Sequence, residues 1–65
     1  MRITHRVVEG GKVRLGDLIS LGRRFIFYTT HPDLSDLDGE NFACEADVVA
    51  RIERVMPEDR VTITG

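Results

Sequence analysis

The stretch Arg23-Arg24-Phe25-Ile26-Phe27-Tyr28-Thr29-Thr30 limits the folds open to this chain more than any other. From Phe25 to Thr30 every residue is aromatic or β-branched, the side chains that fit a pleated surface. A period of two sets Phe25, Phe27 and Thr29 on one face, and Arg24, Ile26, Tyr28 and Thr30 on the other. A strand with one wet face alternates apolar and polar residues, and this one does not. Both faces therefore need a cover. One cover comes from within the chain; the second is another part of the chain, a second subunit or a ligand.

The first cover is a helix. Val48, Val49, Ile52, Val55 and Met56 recur at i, i+1, i+4, i+7 and i+8, one stripe at helical period, with Glu45, Asp47, Arg51, Glu53 and Arg54 on the opposite side. The spacing predicts a helix from about Cys44 to Met56, stopped by Pro57. Asp47 and Arg51 stand four apart in the supportive order. Cys44-Glu45-Ala46-Asp47 loosely follows a capping box. Three β-branched residues leave the helix with fair propensity only, so it depends on packing its stripe.

The remaining elements are shorter. Arg2 to Val8 alternates as a first strand, and Glu9-Gly10-Gly11 before Lys12-Val13-Arg14-Leu15 is a hairpin signal. Leu15-Gly16-Asp17-Leu18-Ile19-Ser20-Leu21-Gly22 reads as a strand broken or bulged at Gly16-Asp17, with a short helix as the alternative. Gly22-Arg23 turns the chain into the central strand. Pro32 to Leu37 can form one short helical turn with Pro at its start, Leu34 and Leu37 plugging the core edge. Asp38-Gly39 is a turn signal. Arg60 to Thr64 is a last short strand with Val61 and Ile63 on one face. The expected architecture is α+β: one small domain over residues 1–65, with three to four mostly antiparallel strands and the single helix packed on one face.

A chain of 65 residues buries only about 60% of its unfolded surface, so it is marginally stable without help. Its single cysteine, Cys44, excludes an internal disulfide, which fits a reducing compartment. The longest strongly apolar run, Phe25 to Tyr28, is far short of a membrane span, and residues 1–6 have no apolar segment of signal-peptide length. The chain reads as cytoplasmic, with no membrane partner.

The net charge of −2 is unevenly spread. Arg2, Arg6, Lys12, Arg14, Arg23 and Arg24 outweigh Glu9 and Asp17 in residues 1–24. Nine acids outweigh Arg51, Arg54 and Arg60 in the remainder. The acidic stretch Asp33, Asp36, Asp38, Glu40, Glu45 and Asp47 offers the oxygens that hard cations prefer. With Gly39 as the turn glycine, it partly resembles a calcium EF-hand loop: Asp36, Asp38 and Glu45 fall at the third, fifth and twelfth positions. Leu34 stands at the first, where an acid is needed, and a strand rather than a helix precedes it. The reading is a solvated loop whose acids cap turns and the helix.

His5, His31 and Cys44 lack the paired spacing of a zinc site. Cys44 lacks the partners of a nucleophile, and the glycines match no phosphate-binding loop. No catalytic residue, metal site or cofactor is expected. Two functions fit: a small non-catalytic protein-interaction module or subunit, or a nucleic-acid binder using the Arg-rich first third and the aromatic strand as a stacking platform. Against the second stand the core-like aromatics, the negative net charge and the absence of a ribonucleoprotein motif. The candidate interaction surface is Arg23, Arg24, Ile26 and Tyr28. Because a single helix covers one face only, self-association as a homodimer is expected through the other face or an edge.

Overall fold

The computed structural model describes residues 2–65. Five strands, β1 (Ile3–Gly10), β2 (Val13–Leu21), β3 (Arg24–Tyr28), β4 (Glu40–Phe42) and β5 (Val61–Thr64), form one antiparallel sheet in the order β4-β3-β2-β1-β5. A 3₁₀ helix, Pro32–Leu37, lies between β3 and β4, and the helix α1, Glu45–Val55, lies between β4 and β5. The α+β class and the single helix agree with the sequence reading. The strand count does not: three to four were expected and five are present. The extra one is β4, whose Glu40-Asn41-Phe42 is too short to show any alternation.

Two tight turns set the meander. Gly11 and Gly22 take left-handed φ values of 64° and 63°, a conformation in which any other residue is strained. The first turn pairs Gly10 with Val13 and Glu9 with Arg14; beyond it, Val8 pairs with Gly16. Leu15 is therefore an extra residue in β2, a β-bulge. The bulge lies one residue earlier than the sequence suggested. Its effect is to turn both Leu15 and Leu18 to the helix side, where they are 2% and 1% exposed. Without it, the period of two would place Leu18 opposite its actual face.

The core lies entirely between the sheet and the helical elements. Val8, Leu15, Leu18, Phe27, Phe42 and Val61 come from the strands; Leu34 and Leu37 come from the 3₁₀ helix and Val48 and Ile52 from α1. Phe25, Val49, Met56 and Ile63 pack around them, half-buried. Helix α1 lies against β4, β5 and the 3₁₀ helix, so it spans the two edge strands of the sheet.

The helix departs from expectation in three details. It runs from Glu45 to Val55, with Cys44 and Met56 as caps, and Val55 is 47% exposed because the stripe curves off the core at its last turn. Cys44 makes no side-chain capping bond. Arg51 reaches across to Glu40 of β4 at 3.2 Å rather than back along the helix to Asp47, because β4 runs beside that face.

Candidate functional site

The face of the sheet turned away from α1 carries a second apolar surface. Register places Ile3 opposite Leu21 and Leu21 opposite Arg24. It places His5 opposite Ile19, Ile19 opposite Ile26, and Ile26 opposite Asn41. In the next row Val7 stands opposite Asp17, and Asp17 opposite Tyr28. Ile3 and Tyr28 are 64% and 46% exposed, and Val7, Ile19, Leu21 and Ile26 are half-buried with no helix above them. Of the residues singled out in the sequence, Arg24, Ile26 and Tyr28 share this face, and Arg23 adjoins it in the β2–β3 turn. Phe25 and Phe27 do not belong to it. They point into the core, Phe27 fully buried, so Tyr28 is the sole aromatic on the open face.

One electrostatic cluster sits on this face, and sequence reading missed it. His5 Nε2 donates to Asp17 Oδ1 at 2.7 Å, and the Arg14 guanidinium pairs with the same oxygen. The signal was the hairpin register: once the bulge is placed, Val7 and Asp17 face each other and His5 is the diagonal neighbour. The His5 hydrogen bond, aided by Arg14 and opposed by partial burial, holds the Asp17 carboxyl below its ordinary value of about 3.8. A carboxylate depressed in the folded state stabilises the fold above its unfolded pKa. That contribution disappears as the pH falls through the lower folded value. We expect Asp17→Asn to reduce stability near neutrality by less than about 1 kcal/mol, as for a surface pair. The gap to wild type should close below pH 3.8 in urea melts run from neutral to acid pH. A gap of constant size across that range would dissociate the effect from ionisation.

Three of the six acids of the 33–47 stretch have separate partners. Asp38 Oδ1 accepts from the Thr29 amide at 2.9 Å, Glu40 pairs with Arg51, and Glu45 pairs with Arg6 at 3.0 Å. No group of three or more His, Cys, Asp and Glu converges as a metal site among the described residues. The basic first third meets the acidic part of the chain through Arg6 alone; Arg2, Arg23 and Arg24 make no ion pair with any described acid.

His31 has a local task. Its Nδ1 accepts from the Asp33 amide at 3.2 Å, capping the 3₁₀ helix. The Thr29 hydroxyl ties the end of β3 to β2, donating to the Leu15 carbonyl at 2.6 Å. Cys44 is exposed at the start of α1. A depression of about 470 Å³ opens widely to solvent beside Arg14, Gly16, Tyr28 and Asp38. No helix is long and apolar enough to cross a membrane among the described residues. No protein-family model, curated protein or solved structure matches this chain.

Proposed function

We propose that the chain is a small non-catalytic protein-interaction module whose docking surface is the open face of the sheet. The observation that carries this reading is the apolar surface of Ile3, Val7, Ile19, Leu21, Ile26 and Tyr28, all on the side without a helix. Apolar side chains clustered in a patch rimmed by polar residues mark interaction surfaces, whereas singly scattered ones do not. The rim here is His5, Asp17, Arg24 and Asn41.

A photo-crosslinking residue at position 26, compared with one at exposed Ala50 on α1, tests the reading in cells that make the protein. Adducts with protein from position 26 and few from position 50 support it. Equal or absent adducts at both positions overturn it.

A second reading, nucleic-acid binding, draws support from Arg2, Arg23 and Arg24, three arginines at one end of the face that make no ion pair among the described residues. It loses the aromatic platform, since only Tyr28 is on that side. Fluorescence titration with mixed oligonucleotides separates the two. Salt-sensitive binding weakened by Arg23→Ala with Arg24→Ala belongs to the second reading.

A further inference from the structure

We infer that the occupant of the open sheet face is a second copy of this chain, laid face to face about a two-fold axis that runs across the strands. The inference rests on the interaction reading above and names its partner.

The charge layout of the face is the first reason. At one end, beside the β2–β3 turn and the start of β1, Arg2, Arg23 and Arg24 stand without an acid partner among the described residues. At the other end lie Glu9, Asp17 and Asp38, with Arg14 and, in the β1–β2 turn, Lys12 as the local counter-charges; the acids still outnumber them. His5, the remaining titratable group on this side of β1, is held at Asp17. A two-fold axis across the strands sets the basic end of each copy over the acidic end of the other. The middle row, His5, Ile19, Ile26 and Asn41, then meets its own equivalent, with the two isoleucines at its centre. A surface that is apolar at its centre and opposite in charge at its two ends is complementary to itself under that operation.

The second reason is an unused acceptor. Both contacts to Asp17 fall on Oδ1, and Oδ2 has no partner among the described residues. Tyr28 stands directly opposite Asp17 on the neighbouring strand. The pair forms a seat for an incoming guanidinium: Oδ2 accepts its N–H, and the exposed ring offers a face for the cation. Arg24, two rows away on the same face, is carried to that seat in the other copy by the two-fold axis.

Size gives the third reason. The 29 strand residues, each covering about 3.3 Å by 4.8 Å, make a face of about 460 Å² in plan. A standard interface takes about 800 Å² of accessible surface per partner. The whole relief of this face is therefore needed. An extended peptide covers a fraction of it, and an identical sheet covers all of it.

Sedimentation velocity of the purified chain at tens of micromolar tests the inference. The expected result is a species of twice 7.3 kDa that weakens as salt is raised. Arg24→Glu, at an exposed position, should weaken association by about tenfold or more with an unchanged circular dichroism spectrum. Ile26→Asp should abolish association at the same concentration. Arg54→Glu, on the exposed side of α1, should leave it unchanged.

Wild type running as a single 7.3 kDa species overturns the inference. So does a dimer indifferent to both face variants. If position 26 crosslinks to other proteins while the purified chain stays monomeric, the second copy is excluded and the interaction reading survives.

Discussion

Gly16→Ala should cost the protein about 3 kcal/mol or more, the upper range of overpacked cores. The bulge at Leu15 turns two successive residues, Leu15 and Gly16, toward the interior. Leu15 fills the space there, and Gly16 lies beneath Phe27. A Cβ at position 16 would stand 2.8 Å from two carbons of the Phe27 ring and would collide with the Tyr28 carbonyl oxygen. The carbonyl belongs to the paired backbone of β3 and cannot swing aside. A domain of this size holds roughly 3–10 kcal/mol in total, so a large fraction of the variant should be unfolded in water. Gly22→Ala provides the contrast. It has open space around it and a φ of 63°, so its cost should be the conformational one alone, about 1–2 kcal/mol. Urea titrations followed by circular dichroism measure both. A Gly16→Ala midpoint equal to wild type would show that β2 does not bulge inward at this point.

Phe27→Ala should be of similar severity, about 3–5 kcal/mol. Phe27 is the largest fully buried side chain among the described residues, and its ring edge lies over Gly16, which has no side chain to move into the cavity left behind. Its chain neighbour Ile26 faces the other way. Ile26→Ala should cost less than about 1.5 kcal/mol, because Ile26 is only partly covered within the chain. Thermal melts of the two variants should be read below the concentration at which the chains associate. Equal losses at positions 26 and 27 would mean that the two faces of β3 are covered alike, and would remove the ground for a docking surface.

That asymmetry of β3 was half legible in the sequence. The run Phe25 to Tyr28 showed that both faces are apolar, and the α1 stripe showed that one of them has an internal cover. The period of two grouped Phe25 with Phe27, and both are on the helix side; which of the two apolar faces the helix would cover was not in the pattern. The 3₁₀ helix was equally legible, because Pro32 fixes its start and Leu34 and Leu37 stand three apart; both leucines are buried.

Strand β4 was not legible. Three residues carry no periodicity, and Glu40-Asn41 resembles the loop before it. Pairing with β3, which puts Phe42 opposite Phe25, decides its conformation, and that partner is 17 positions away. The His5–Asp17–Arg14 cluster escaped for a related reason. Its residues share a face only because of the one-residue shift at Leu15, and a sequence shows that shift as a local irregularity without its consequence for register. The partners of the arginines were hidden as well. Arg6 meets Glu45 and Arg51 meets Glu40 through tertiary proximity, whereas the i,i+4 rule pointed Arg51 to Asp47.

The bridging of both sheet edges by α1 gives the two sides of β1 different histories during folding. Its pairing with β2 grows outward from the Gly11 turn, between residues close in sequence. Its pairing with β5 joins Gly10 to Val61 and closes a loop of about 50 residues, an entropic cost that local hairpins escape. The 1–28 meander can assemble by zipping, while β5 must wait until β4 and α1 have carried the chain to the opposite edge. Amide groups of Val7 to Gly10 that bond toward β5 should therefore close later in folding than those of the same strand that bond toward β2.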